Sequence, residues 1–202
     1  DYIAERVGND ALTGIQSWKN ESECRDREDL GTYRLVTNVV VTFSNKVQFK
    51  EFYHNSSYLA NGGSPEKATR AAFLSQIDSY LKQNNKYQKS DSKISFQDIE
   101  DCLAIVISSF STQTSYENQT KKAINNKGIQ DSMTAFLKHQ LEIYFIENPL
   151  EAEKIGNQVL INMRSRVKAE KTRQGIKESL IQNVSNLTNR IQKFVDCRSK
   201  DT

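Results

Sequence analysis

The chain has 202 residues, of which 37% are hydrophobic, and a formal net charge of +3. That length holds one domain with a real core, and so low an apolar share calls for a long exposed element beside it. The net charge is too small to point to nucleic acid by itself. There is no signal-peptide pattern and no apolar run long enough to span a membrane, so no membrane partner is expected.

In chain order, Asp1 to Val7 reads as the last turns of a helix, with Ile3 and Val7 on one face, ended by Gly8-Asn9-Asp10. Gly14 to Lys19 is a short strand candidate. Asn20 to Gly31, rich in charge, reads as a solvated loop with no assigned function. Tyr33 to Phe43 is rich in β-branched residues and predicts a strand. A turn at Ser44-Asn45-Lys46 and the alternation from Val47 to Tyr53 predict a second strand, the two forming a hairpin. A polar loop, Asn55 to Gly63, leads to Ser64-Pro65, a capping hydroxyl followed by proline. Ala68, Ala72, Phe73, Ile77, Tyr80 and Leu81 then form one helical stripe, stopped by Asn84-Asn85.

Ser95 is placed to cap a short helix before Leu103-Ala104-Ile105-Val106-Ile107, the clearest buried strand in the sequence. A helix from about Asn126 to Glu147 turns Ile129, Met133, Phe136, Leu137, Gln140 and Tyr144 inward and leaves His139 exposed. Asn148-Pro149 opens the next helix, with Ile155, Val159, Met163 and Val167 as its stripe. From Lys168 to Gly175 the only apolar residue is Ala169, so that stretch is exposed or bridging. Ile176, Leu180, Val184, Leu187, Ile191 and Phe194 resume a heptad-like pattern, fewer than three heptads long.

Three widely spaced cysteines (Cys24, Cys102, Cys197) and two histidines contain no zinc-binding spacing and fit a reducing, intracellular compartment. No Ser/His/Asp set, carboxylate pair or glycine-rich phosphate loop can be assembled. Two cationic features remain. Gln119 and Lys121 lie two apart in a polar loop between a core strand and a helix. In an extended loop both side chains point the same way, and an amide donor beside an ammonium suits a phosphate oxygen. Between Lys154 and Lys177 there are seven Lys/Arg against a single acid, Glu170.

Several stretches, in order, resemble one family. Gln119-Thr120-Lys121 and the break Tyr144-Phe145-Ile146-Glu147-Asn148-Pro149 look like the transducer domain of type IIA DNA topoisomerase B subunits, that is, DNA gyrase B and topoisomerase IV B. Asn61-Gly62-Gly63 followed by Thr69-Arg70-Ala71-Ala72-Phe73 is similar to the family's Gly-Gly segment and its helix. Ser64-Pro65 stands where the family has Thr-His, so no role of that histidine carries over. Arg164 to Ala169 is similar to its basic helix. Lys193 to Asp201 resembles the approach to its metal-binding cleavage domain.

The resemblance implies an α/β (α+β) fold, a two-layer sheet-and-helix transducer with a left-handed crossover, followed by a long helix. It implies a transducer domain over 1–148, a basic helix over 149–192 and the start of a cleavage-domain linker over 193–202. A chain opening at Asp1 without methionine is then expected to be a piece of a longer polypeptide. The implied parent is a cytoplasmic enzyme using ATP and Mg2+, in which most ligands of both lie elsewhere. Its partners would be DNA, a second B subunit and the topoisomerase A subunit. Lys121 would reach the ATP γ-phosphate in a neighbouring domain, Gln119 would assist, and Arg164, Arg166, Lys168, Lys171 and Arg173 would lie near DNA. Two alternatives stand beside it: a non-enzymatic nucleic-acid-binding module, and a transducer of a mismatch-repair-type ATPase.

Overall fold

A computed structural model describes residues 1–117, 119 and 121–190. It falls into two compact units, Asp1–Arg164 and Ser165–Thr202. The first carries a five-stranded mixed sheet of order β1-β2-β5-β3-β4, built from β1 (Gln16–Cys24), β2 (Tyr33–Phe43), β3 (Phe49–His54), β4 (Ser57–Tyr58) and β5 (Leu103–Ser111). Its helices are α1 (Tyr2–Val7), α2 (Ser64–Gln83), α3 (Phe96–Glu100), α4 (Lys127–Glu147) and the first turns of α5 (Pro149–Arg190).

The apolar run at 103–107 takes the centre of the sheet because every position there needs cover. β5 pairs antiparallel with β2 on one edge and parallel with β3 on the other. Leu103, Ile105 and Ile107 are fully buried on the face that carries α2 and α4, where Phe43 meets Phe73. On the opposite face α1 lays Ile3 and Val7 against Ala104 and Val106. A strand paired on both edges and covered on both faces has a continuous rather than alternating apolar pattern.

This placement overturns the expected hairpin. β2 is already paired by β1 and β5, so β3 adds to the far edge of β5 and returns to it through α2 and α3. Alternation identifies a strand and its buried face, but does not name its neighbour. The solvated loop expected at Asn20–Gly31 is also corrected. Its first half continues β1 to Cys24, which is buried, and Ser22 bonds Ser132 on α4 at 2.8 Å. The outward charges Lys19, Glu21 and Glu23 hid the strand, yet such charges suit an edge that must not recruit another chain.

Two caps differ from expectation. Gly63, not Ser64, is the N-cap of α2, and the Ser64 hydroxyl instead donates to the carbonyls of Asn126 (2.8 Å) and Ile124 (3.2 Å). Asn148 does stand before Pro149 at the start of α5, its carbonyl accepting Ala152 N–H (2.9 Å), but its side chain turns back to the Tyr144 carbonyl at 3.2 Å and closes α4. Ser95 caps α3 as expected, and the cap is a capping box, with Ser95 and Asp98 bonded to each other's backbone. α5 buries Ala152, Ile155, Val159, Leu160 and Met163 in the first unit. Its carboxylates Glu151 and Glu153 meet Gly14 N–H and Lys86, so the compact unit runs past the Asn148-Pro149 break to Arg164. Among the described residues no helix is long and apolar enough to cross a membrane.

Candidate functional site

Gln119 and Lys121 lie on the exposed tip of a loop that leaves β5 after Ser111 and enters α4 after Asn126. Lys121 adopts a left-handed backbone (φ 55°), so the extended alternation expected to align the two side chains does not hold at that residue. The Lys121 ammonium instead sits over the ring of Tyr116, 5.5 Å from its centroid. Such a contact at an exposed site is worth about 0.5–1 kcal/mol, weak enough to exchange for a phosphate.

The tip closes on itself. Glu117 N–H donates to the Ala123 carbonyl (3.0 Å), Asn125 N–H donates to the Ser115 carbonyl (2.9 Å), and Tyr116 bridges Ile124. Its returning limb is then joined to the Gly62-Gly63 segment. Asn61 N–H donates to Lys122 O (2.9 Å), Ser64 N–H donates to Ile124 O (2.8 Å), and Gly63 forms a parallel bridge with Ile124. Gly63 is required there twice over. Its φ is +90°, and a Cβ would stand 2.2 Å from the Ile124 carbonyl oxygen. The loop therefore inherits the rigidity of the α2 N-terminus.

The outgoing limb is anchored by side chains. His54, fully buried at the end of β3, places Nδ1 2.8 Å from Ser109 Oγ and Nε2 3.0 Å from Thr114 Oγ1. Asn55 reaches the Ser111 carbonyl and Thr114 Oγ1, both at 3.1 Å, and accepts Ser111 N–H at 3.0 Å. Burial pulls the His54 imidazole down to a pKa of about 4, so it is neutral near pH 7.

Where the loop meets α4, buried Asn126 accepts Ser115 N–H at 2.7 Å and donates to Asp26 Oδ2 at 2.7 Å. Asp26 also accepts Gly128 N–H (2.8 Å) and the Tyr33 hydroxyl (2.7 Å). Burial pushes the Asp26 carboxyl up, but hydrogen bonds from Tyr33, Gly128 and Asn126 outweigh it and hold it below the usual carboxylate value. An acid on free N–H groups at a helix start is stabilising, so the Asn20–Gly31 segment acts as a clamp on α4. Gly128 fits because a Cβ would lie 2.6 Å from the Arg25 carbonyl oxygen.

Sequence reasoning gives no role to His54, Tyr116, Asp26 or Asn126; for the glycines that end the Asn55–Gly63 loop it gives positive φ or close backbone approach, and Gly63 has both. The two glycines before Ser64 and the charged stretch around Asp26 were visible, but the contacts made there are with residues 60 to 100 positions away.

The expected DNA-proximal cations separate. Arg164 makes a bidentate pair with Asp91, Nε to Oδ1 at 3.0 Å and Nη2 to Oδ2 at 2.8 Å. Arg166 is half-buried on α5. Lys168, Lys171 and Arg173 are exposed, in the second unit. In that unit Ile176, Leu180 and Ile181 are also exposed, at 57–59%. Lys193 to Asp201, Ile191, Phe194 and Cys197 lie outside the described residues. Among the described residues no group of three His, Cys, Asp or Glu side chains is arranged to hold a metal.

Comparison with known proteins agrees with this architecture. The chain is 28% identical over 162 residues to the DNA gyrase B protein of Mycolicibacterium smegmatis, covering 80% of this chain and 22% of that protein. It is 29% identical over 165 residues to the DNA gyrase B protein of Metamycoplasma arthritidis, covering 82% and 24%. The chain thus spans about a quarter of the length of these relatives. The fold is similar to the 43K ATPase domain of Thermus thermophilus gyrase B, with TM-score 0.69 and 17% identity over 85% of this chain and 44% of that one. It is also similar to the topoisomerase IV ATP-binding domain of Francisella tularensis, with TM-score 0.58 and 21% identity over 74% and 40%. The family model described as DNA gyrase B matches residues 1–175, and the chain belongs to the DNA gyrase B family.

Proposed function

We propose that this chain is the transducer portion of an ATP-dependent type II DNA topoisomerase. In this role Lys121 senses the terminal phosphate of ATP held by a neighbouring domain of the parent protein, and Gln119 adds an amide donor. The observation that carries it is an exposed cation on a loop whose two limbs are both tied to the sheet-and-helix scaffold. A cation on a floppy loop would lose its phosphate contact to entropy, whereas one on a braced loop keeps most of its value.

Lys121 leaves the Tyr116 ring for the phosphate, forming a charge-assisted contact stronger than the one it gives up. Cleavage of the terminal phosphate removes that partner, and Lys121 returns. The loop's position is relayed along Asn126 and Asp26 to the first turn of α4, and along Gly63 to α2. ATP with Mg2+ supplies the switching free energy. In this reading the ion and most nucleotide ligands belong to the rest of the parent, and this chain contributes the phosphate contact.

Exposed Lys168, Lys171 and Arg173 suit sequence-independent contacts with the backbone of a DNA segment, with steep salt dependence. Arg164 is committed to Asp91 and Arg166 is half-buried, so both contribute less. DNA, a second B subunit and an A subunit are the partners, in the cytoplasm.

In the full-length protein, Lys121→Ala lowers ATP turnover by about 10²-fold or more while nucleotide affinity stays within a few-fold. Near-normal turnover in that variant overturns the loop's role. If turnover is normal and the chain still binds DNA tightly at moderate salt, the nucleic-acid-binding module is the better account.

A further inference from the structure

The outgoing limb of the loop holds a buried histidine that no step above uses. The surrounding hydroxyls assign its tautomer. Ser109 Oγ donates to the Tyr53 carbonyl at 3.1 Å, so it can only accept from His54 Nδ1–H. Ser111 Oγ donates to the Gln113 carbonyl at 2.5 Å, so its proton is also spent. Thr114 Oγ1 accepts from Asn55 Nδ2 and keeps its own proton for His54 Nε2, 3.0 Å away. A neutral ring donates only once, and the shorter of the two contacts, 2.8 Å to Ser109 against 3.1 Å to Ser111, places that proton on Nδ1; Nε2 is then the acceptor, and Thr114, the first loop residue it holds, is the donor.

We propose that His54 is a positioning residue for the loop that carries Gln119 and Lys121, and that it acts by fixing the Thr114 hydroxyl through Nε2. Three features support this. His54 ends β3, the strand paired parallel to the β5 from which the loop departs, so it reports the sheet's position directly. It has no exposed surface, and its two ring nitrogens are taken up by Ser109 and Thr114. The outgoing limb joins the returning limb from Ser115 onward, so without His54 the stretch from Ser111 to Thr114 would be held to the sheet by Asn55. The proposal rests on Lys121 being the phosphate sensor, and a misplacement of the sensor by about 1 Å is enough to cost up to 10²-fold in rate.

The test uses the full-length protein and ATP, with turnover and nucleotide affinity measured separately. Asn places its amide near the ring's Nδ1 and Gln near Nε2, so His54→Asn keeps the Ser109 contact and His54→Gln keeps the Thr114 contact. His54→Asn and Thr114→Val are expected to lower kcat about tenfold or more with nucleotide affinity within about twofold. His54→Gln and Thr114→Ser are expected to stay within about threefold of the parent, and the His54→Asn/Thr114→Val double variant to lose no more than either single one. A merely structural role would make His54→Gln and His54→Asn equally damaging and would move thermal stability with activity. If His54→Asn does not fold, Thr114→Val, a change on the loop's first turn, carries the test alone. Normal kcat in Thr114→Val while Lys121→Ala is inactive overturns the positioning role and leaves the sensor intact. Normal kcat in Lys121→Ala overturns the sensor itself.

Discussion

The two limbs of the loop between Ser111 and Asn126 are braced by different chemistry. The returning limb is held by main chain: Asn61, Gly63 and Ser64 bond Lys122 and Ile124 without a titratable group. The outgoing limb is held by side chains, His54, Asn55, Ser111 and Thr114, of which one can take up a proton. A backbone brace depends on steric fit and ignores pH, while a side-chain brace can be tuned by pH or by single substitutions. The contrast separates stiffness, which the first supplies, from adjustment, which the second allows.

The largest expected effect breaks the backbone brace. Gly63→Ala sets a methyl group 2.2 Å from the Ile124 carbonyl oxygen and forces a side-chain residue to φ +90°. Overpacking and strain together are expected to cost about 3–5 kcal/mol, a large part of a domain's stability, read as a drop in the urea midpoint. A midpoint within error of the parent would show that the two segments separate freely.

Next comes the side-chain brace under acid. The folded-state pKa of His54 is lowered to about 4 from an ordinary 6.5, so the unfolded chain binds the extra proton first. The contribution is fully present above about pH 6.5 and is lost as pH falls towards 4, at a slope of about 1.4 kcal/mol per unit. Over that window about 3 kcal/mol is expected to disappear, and His54→Gln should remove the slope. Asp26, Asp78 and Asp91, whose values are depressed, lose their contributions at lower pH, below the usual carboxylate range. An unchanged slope in His54→Gln would assign it elsewhere.

A smaller effect is expected where the loop joins α4. Asp26→Ala leaves Gly128 N–H, Asn126 Nδ2 and the Tyr33 hydroxyl without their acceptor, a loss of about 2 kcal/mol in chemical denaturation. No loss would return the Asn20–Gly31 segment to an incidental contact. The smallest effect is at the tip. Tyr116→Leu removes the ring beneath Lys121, worth about 0.5 kcal/mol, and should tighten ATP binding in the parent protein by about twofold because Lys121 leaves nothing behind. Weaker binding would show that Tyr116 itself meets the nucleotide.

Much was legible in the residues alone. The strand at Tyr33–Phe43, the helix stripes of α2 and α4, the helix cap at Ser95 and the continuous apolar strand at Leu103–Ile107 follow from local periodicity and capping chemistry, and the structure has each of them. The exposed Gln119 and Lys121 were visible as a polar loop between a core strand and a helix, and the Gln-Thr-Lys motif pointed to the family. These signals are carried within a few residues, or by short motifs kept in order.

What the tertiary structure decided was which distant segments meet. β3 pairs with β5 rather than β2 because β2 had no free edge left, a fact about the whole sheet. Asn20–Cys24 is a strand because β2 and α4 offer it partners, despite charges that argue for solvent. Arg164 meets Asp91, Gly63 meets Ile124 and His54 meets Thr114 across separations no periodicity encodes. Local sequence sets which backbone shapes and faces are cheap. The choice among long-range pairings follows from filling every buried edge, face and hydrogen-bonding group at once, and only the folded chain meets that condition.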